Sequence, residues 1–172
     1  LTAHTAEASV GEAFARALGA RYRMTGIFSV LRLGSMPVGR AAALRAKAEA
    51  ASPGYSLLTW AGQAPEDLLD DVVVLFQAEE DAPRGAGEEA EQWDAARVRA
   101  DEHRVADRGL RFYTVAARAD LGGELVAITQ LGVDPAQPGW AVQELTAVVR
   151  PHRGHRLGLL VKVAMLDLLA ER

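Results

Sequence analysis

Apolar and β-branched residues dominate two neighbouring stretches near the end of the chain, residues 140–149 and residues 157–172. The first stretch is short, rich in valine and free of glycine and proline, which is typical of a strand. The second runs for sixteen residues without proline, has glycine only at position 158, and is rich in leucine and alanine, which favours a helix. Pro151 and Gly154 interrupt the pattern between them. The chain therefore predicts a strand, a loop and a helix in that order.

The remaining positions alternate between amphipathic and strand-like segments. A helix is predicted over residues 5–19, an extended strand over residues 21–33, and an alanine-rich helix between the turn formers that bound residues 35–54. Glycines within residues 120–123 are a hairpin signal, so the strands around them are expected to be antiparallel. From residue 55 onward the predicted strands cover residues 55–60, 110–117, 124–131 and 140–149, and two helices beginning at residues 64 and 88 separate the first two of these strands.

The loop between the last strand and the last helix has the composition of an anion-binding site. It carries Arg150, Arg153 and Arg156 together with two glycines. The first amides of a helix lack partners within the helix, and the helix dipole adds partial positive charge at the same end, so a phosphate-bearing ligand is expected here. The loop is not a Walker A motif, because no Lys-Ser or Lys-Thr pair follows Gly158, and it lacks the G-x-G of dinucleotide-binding loops.

This loop and its flanks resemble the acetyl-CoA pyrophosphate loop of the GNAT superfamily of N-acetyltransferases, whose pattern is Gln/Arg-x-x-Gly-x-Gly/Ala. Arg153 matches the first position and Gly158 the last, whereas Arg156 stands where the middle glycine is usual. The resemblance implies an α/β (α+β) fold of the GNAT type, a mixed, mostly antiparallel twisted sheet flanked by helices. It covers residues 54–172, about two thirds of the chain, as the first half of a GNAT acetyltransferase lobe.

The resemblance also implies acetyl-CoA as a co-substrate, and it indicates which groups would hold it. Backbone groups of Thr146, Ala147 and Val148 would pair with the pantetheine arm like an added strand. The diphosphate would rest on amides of the loop and the first helical turn, with arginine side chains nearby. The cofactor-binding residues implied in that region are Arg153, Gly154, His155, Arg156, Leu157, Gly158 and Leu159.

The first part of the chain resembles the end of a preceding GNAT lobe. Within residues 1–34, Phe14, Leu18 and Gly19 match a closing helix-to-strand pattern of the family, and Ala15 stands where that pattern has a tyrosine that is often the proton donor. Residues 35–53 are interpreted as a linker helix between lobes. The alternative is that these residues form an ordinary surface helix of a single domain.

A GNAT lobe is expected to continue beyond the last helix with another strand, another helix and closing strands, so the fold is predicted to be incomplete at its C-terminal end. One explanation is a tandem protein of which this chain includes part of each lobe. The other is a permuted or strand-swapped assembly, including a homo-oligomer. A lobe cut after the last helix is expected to expose an apolar helix face formed by Leu160, Val163, Leu166 and Leu169.

Composition and charge exclude several classes of function. No apolar run approaches the roughly 20 residues that span a bilayer, so no membrane association is expected. Without cysteine there is no disulfide, thiolate metal site or cysteine nucleophile, and a cytoplasmic protein is the default. Residues 64–108 carry fourteen acidic residues against five arginines, which argues against a nucleic-acid partner. Such an acidic surface suits cationic amines, or it is simply a solvated helix face.

Acetyl transfer to an amine needs a positioned acyl donor, a neutral amine and a stabilised oxyanion. Glu144 is the candidate catalytic base, because burial in an apolar strand would raise the pKa of its carboxyl toward neutrality. Its alternative role is structural, as an edge residue bonded to a neighbouring strand. Family members often carry a glutamate two residues earlier, at Val142, and strand alternation places both positions on one side. His152 and His155 have no carboxylate in the loop to complete a metal site, so no metal is expected.

The sequence therefore predicts an acetyl-CoA-dependent N-acetyltransferase, whose acceptor is a primary amine of a small molecule or a peptide. The rival hypothesis is a catalytically inert GNAT-like lobe that binds CoA or serves as a dimerisation or scaffold module. Ala15 at the tyrosine position, Val142 at the glutamate position and Arg156 at the glycine position all favour the rival.

Overall fold

The structure is a computed structural model that describes residues 4–22, 25–81 and 91–170. These residues divide into two compact units, one up to residue 31 and one from residue 32 onward. The second unit contains the sheet and the predicted anion-binding loop. None of the described helices is long and apolar enough to cross a membrane.

The first unit contains one helix among its described residues, α1 at Val10–Ala17. This helix starts later than the predicted residue 5, because side chains cap it at residue 9. Ser9 Oγ accepts a hydrogen bond from the Glu12 N–H at 3.2 Å, and the Glu12 carboxylate accepts one from the Ala8 N–H at 2.6 Å. Gly19 follows the helix end with φ of +79°, as expected of a C-terminal glycine.

The predicted strand over residues 21–33 is wrong for the part of it that the structure describes. Residues 21–22 and 25–32 have extended or irregular backbone without strand pairing. A strand needs a partner to satisfy its N–H and C=O groups, and no described segment pairs with this one. Its apolar side chains remain uncovered in consequence, with Ile27 and Phe28 exposed by 88% and 95%.

The second unit has the predicted order of helices and strands. A 3₁₀ turn precedes the first helix, another precedes the second, and a third precedes the last, at Leu33–Ser35, Glu66–Leu68 and Arg150–His152. The longer elements are α2 (Arg40–Glu49), β1 (Tyr55–Ala61), α3 (Leu69–Glu79), α4 (Ala95–Asp107), β2 (Arg111–Ala119), β3 (Leu125–Val133), β4 (Ala141–Val148) and α5 (Leu157–Ala170).

Helix α4 begins at residue 95, so the predicted start at residue 88 is wrong over the described residues 91–94. Asp94 ends the extended segment and caps the helix, because its Oδ1 accepts a hydrogen bond from the Arg97 N–H at 2.7 Å. Residues 88–90 lie outside the described part of the chain.

The four described strands form one antiparallel sheet in the order β1-β2-β3-β4. The β2–β3 connection is the predicted hairpin, in which Gly123 has φ of +81° and donates its N–H to the Ala119 carbonyl at 2.8 Å. Strand β4 lies at one edge of this sheet. The arrangement confirms the predicted α/β fold with a mostly antiparallel sheet flanked by helices.

Helices cover both faces of the sheet. Helices α3 and α4 cover one face, and the buried side chains there include Leu68, Leu69, Val72, Leu75, Phe76, Val98, Ile128 and Leu145. Helices α5 and α2 cover the other face, where the buried side chains include Ala48, Val115, Val126, Leu157, Leu160, Val161 and Met165.

Helix α2 packs against α5 and gives that helix a covered surface. Leu160 and Val163 are each 3% exposed, so the expectation of an exposed apolar face on α5 is wrong for these two residues. Ala48 of α2 lies in the same buried cluster, and Arg45 forms an ion pair with Asp167 across the two helices. Helix α2 is therefore part of the same compact unit as the sheet. That it also links two lobes stays a prediction.

Candidate functional site

The start of α5 presents backbone N–H groups without partners. The Arg156 carbonyl accepts hydrogen bonds from the N–H groups of Leu159 and Leu160, each at 3.0 Å, so the helical pattern begins there. Within the part of the chain that the structure describes, no oxygen accepts a hydrogen bond from the amides of residues 154–158. Residues 154–156 are also exposed. These amides are therefore free to bind an anion at the positive end of the helix.

Arg156 has the backbone conformation that glycine favours. Its φ is +55°, in the left-handed region, and Gly154 two residues earlier has φ of +95°. A side chain in this region costs about 1–2 kcal/mol, and Arg156 occupies the position where the GNAT pattern has its middle glycine. The loop thus keeps a glycine-like path although the residue is arginine.

Asp81, which follows α3, binds two of the three loop arginines. Its carboxylate accepts hydrogen bonds from Arg150 Nε at 2.8 Å and Nη2 at 2.7 Å, and from Arg153 Nη2 at 2.9 Å. The hydrogen bond from Arg150, together with that from Arg153 and the charges of both, lowers the pKa of Asp81. Arg156 has no ion-pair partner among the described residues. Arg150 and Arg153 therefore share one carboxylate, and their contact with a ligand stays a prediction.

Strand β4 offers backbone groups at the open edge of the sheet. The Val149 N–H donates to the Val126 carbonyl of β3 at 3.0 Å. Because successive residues of a strand direct their N–H and C=O groups to opposite sides, those of Thr146 and Val148 point away from β3, and those of Ala147 point toward it. Arg153 Nε donates to the Val148 carbonyl at 2.9 Å. Thr146 and Val148 thus direct their backbone groups to the open edge, whereas those of Ala147 face β3. That this edge pairs with a pantetheine arm stays a prediction.

The other predicted cofactor-binding residues differ in which of their backbone and side-chain groups are available to a ligand. Leu157 is buried, so only its amide faces the loop, and the amide of Leu159 is taken by the Arg156 carbonyl. The His155 ring lies beside Tyr55, with 5.6 Å between ring centroids. Tyr55 Oη is also 3.0 Å from Nδ1 of His152. This tyrosine of β1, which sequence reasoning missed, therefore contacts both histidines of the loop.

Glu144 is the extra residue of a β-bulge in β4. Gln130 pairs with Leu145 and the next residue of β3 pairs with Gln143, so Glu144 has no partner of its own. Its carboxylate lies over Gly132 of β3, the residue that pairs with Val142. Since paired residues direct their side chains to the same face, Glu144 and Val142 lie on the same side of the sheet, as the strand alternation predicted.

The surroundings of Glu144 favour its protonated form. Residue 144 is exposed, so the expected burial in an apolar strand is wrong. Partial desolvation of the carboxyl still raises its pKa most, the negative charge of Asp101 raises it further, and Arg108 and Arg104 lower it. All three of these charged residues belong to α4 or its C-cap. A carboxylate with a raised pKa, near a helix that borders one face of the sheet, can accept a proton from a bound amine. Among the described residues, no group of three metal-ligating side chains occurs.

One comparison with a solved structure supports the same fold. A tandem GNAT protein from the clavulanic acid biosynthesis pathway, solved without AcCoA, matches 99% of this chain with 28% sequence identity and a TM-score of 0.64. The match covers 49% of that protein, so the chain spans about half its length. An acetyltransferase from Trypanosoma brucei matches 67% of this chain and covers 76% of its own, with 17% identity and a TM-score of 0.42. No protein-family profile and no curated protein sequence matches the chain.

Proposed function

We infer that this chain, which belongs to the GNAT superfamily, binds acetyl-CoA and transfers its acetyl group to a primary amine of a small molecule or a peptide. One observation carries the proposal. The amides of residues 154–158 are unpaired among the described residues, and they lie at the start of α5, directly after the open-edge strand β4.

In this proposal the loop holds the diphosphate of the acyl donor. The amides of residues 154–158 donate to phosphate oxygens, and the helix dipole and the Arg156 guanidinium supply positive charge. The outward backbone groups of Thr146 and the Val148 N–H pair with the pantetheine arm. A Cβ placed on Gly158 would lie 3.8 Å from Val148 Cγ2 and 3.9 Å from Thr146 Cγ2, so a small residue fits here, whereas a larger side chain would extend into the space beside β4 where the arm is proposed to lie.

The acetyl group then moves by attack of a neutral amine on the thioester carbonyl. A new C–N bond forms, the C–S bond breaks, and the CoA sulfur leaves as a thiolate, which takes up the proton that the attacking nitrogen releases as the amide forms. Glu144 accepts the proton that the ammonium loses, directly or through water. The raised pKa of its carboxyl makes it a stronger base than an ordinary glutamate. Its place on β4, two residues before Thr146, puts it next to the strand edge proposed for the donor.

Calorimetric titration with acetyl-CoA tests this proposal first. Saturable binding that is lost on Gly158→Trp, with release of free CoA thiol in the presence of an amine panel, is the expected result. A folded chain that shows no binding would refute the proposal.

A second candidate is an inert lobe that binds CoA or takes part in assembly without transferring acetyl. It is favoured by Asp81, because this carboxylate already occupies Arg150 and Arg153, two side chains that would otherwise face a diphosphate. Binding of acetyl-CoA without thiol release across the amine panel would support this candidate over the enzyme. Turnover with one amine would exclude it.

A further inference from the structure

We propose that Gly132 is a positioning residue for Glu144, because by lacking a side chain it leaves the space on β3 that the Glu144 carboxylate occupies. This inference rests on the proposed function, in which Glu144 is the base. It concerns how the chain places that carboxylate, and the placement can be measured without any turnover.

The geometry leaves room for either a methyl group or the carboxylate, and not for both. A Cβ built on Gly132 would lie 2.7 Å from Glu144 Oε1 and 3.6 Å from its Cδ. The first separation is well below the roughly 3.5 Å or more of ordinary packing contacts, so one of the two groups would have to move. The carboxylate would move, since it is the end of a flexible side chain, whereas Phe112 Cε1 on the other side stays at an acceptable 3.5 Å.

The backbone itself does not require glycine at this position. Gly132 is not among the glycines with positive φ, and it lies within β3, paired with Val142. Glycine inside a strand weakens the strand and often marks a bulge or a close approach by another group. Here both features are present, since the bulge at Glu144 lies beside it and the Glu144 carboxylate is the group that approaches.

The position over Gly132 also keeps the carboxylate within reach of the charges on α4. Asp101, Arg104 and the C-cap Arg108 are the charged groups that act on Glu144, the first disfavouring ionisation and the two arginines favouring it. A carboxylate pushed off the sheet would become more solvated and lose the partial desolvation that raises its pKa. In this inference Gly132 affects the reaction through Glu144.

Gly132→Ala tests the inference, with Gly34→Ala as a matched control. Gly34 also lies outside the positive-φ region, and a Cβ there meets nothing within 4 Å. Titration of the Glu144 side-chain carboxyl by ¹³C NMR is expected to show a lower pKa in Gly132→Ala, closer to the ordinary glutamate value of about 4.3, and no change in Gly34→Ala. An unchanged Glu144 pKa in folded Gly132→Ala protein would overturn the inference.

The same substitution is expected to lower kcat/KM by about tenfold or more, while the Kd for acetyl-CoA stays within about twofold, since misplacing a catalytic group affects the chemical step. Combining it with Glu144→Asp separates positioning from strand damage. The aspartate side chain is one methylene shorter, so we expect that its carboxylate does not reach the space over Gly132. Adding Gly132→Ala should then change kcat/KM by less than about twofold in that background. An equal loss in both backgrounds would mean that alanine damages the strand, and the inference would be wrong.

Failure of the proposed function gives a different result from failure of this inference. If the intact chain binds no acetyl-CoA, the enzyme proposal fails, and the NMR titration of Gly132→Ala still decides whether residue 132 seats the carboxylate. If the chain binds acetyl-CoA and catalyses acetyl transfer, but Gly132→Ala leaves both the Glu144 pKa and kcat/KM unchanged, the positioning role of Gly132 is refuted and the enzyme proposal stands.

Discussion

Substitution of Gly158 separates effects on folding from effects on ligand binding at the proposed diphosphate site. Gly158 lies in the first turn of α5, outside the positive-φ region. A Cβ on it would lie 3.8 Å and 3.9 Å from side-chain carbons of Val148 and Thr146, which are ordinary contact distances. Alanine therefore fits without moving a neighbour. Because glycine in a helix costs about 0.5–1 kcal/mol relative to alanine, Gly158→Ala is expected to raise the free energy of unfolding by up to that amount.

Tryptophan at the same position is expected to fold but not to bind. Its Cβ would lie beside the side chains of Val148 and Thr146, so the ring would fill the space between β4 and the start of α5, where the acyl donor is proposed to lie. Loss of two hydrogen bonds to a charged group, each contributing about 1.5–3 kcal/mol, weakens binding by about 3–6 kcal/mol. This corresponds to at least a hundredfold increase in the Kd for acetyl-CoA. Gly158→Ala should leave that Kd within about threefold, because a methyl group does not cover the amides.

Isothermal titration calorimetry with acetyl-CoA measures binding by the wild type and both variants, and urea unfolding followed by tryptophan fluorescence measures their stability. The reasoning predicts a more stable alanine variant that binds and a folded tryptophan variant that does not. A folded Gly158→Trp protein with the wild-type Kd would show that the ligand does not approach this turn.

Three further substitutions address the loop and the candidate base. Arg156→Gly is expected to have a higher free energy of unfolding than Arg156→Ala, by up to about 1 kcal/mol, because only glycine adopts φ of +55° without strain. Urea unfolding of the two variants measures this difference. Asp81→Asn should free Arg150 and Arg153 and lower the Kd for acetyl-CoA several-fold at low salt, an effect that calorimetry should see shrink at high salt. Since the folded state lowers the pKa of Asp81, its carboxylate stabilises the protein above the ordinary aspartate pKa, and the stability difference from Asp81→Asn should vanish as pH falls through the lower folded value. The folded state raises the pKa of Glu144, so ionisation there opposes folding. Glu144→Gln should be the more stable protein at neutral pH, with the difference lost in acid, while kcat/KM falls. Equal unfolding curves at neutral pH would contradict the raised pKa.

The order of elements from residue 55 onward could be predicted because each signal is local. Alternating β-branched residues, a glycine hairpin at 120–123 and a long apolar helix after residue 156 each act within one segment of the chain. The prediction of a strand over residues 21–33 was wrong because strand formation depends on a distant segment. Its composition allows extended backbone, but a strand exists only when another segment pairs with it, and composition does not reveal whether one does.

The candidate site was predictable where it depends on backbone and not where it depends on contacts across the fold. The loop pattern located the unpaired amides, but it did not indicate that Arg156, a departure from the usual glycine, takes the left-handed φ of +55°. The pairing of Asp81 with Arg150 and Arg153 joins residues 69 and 72 positions apart, so no local pattern indicates it. The bulge at Glu144 likewise depends on the register against β3. A glycine inside that strand, Gly132, was the available signal.

Amide chemical shifts during titration with acetyl-CoA test the central claim most directly. If the diphosphate binds the helix start, the ¹H–¹⁵N resonances of residues 154–158 should shift together and saturate with the Kd found by calorimetry, while those of the central strand β2 change little. Saturable binding that leaves these five amide resonances unmoved would contradict the claim.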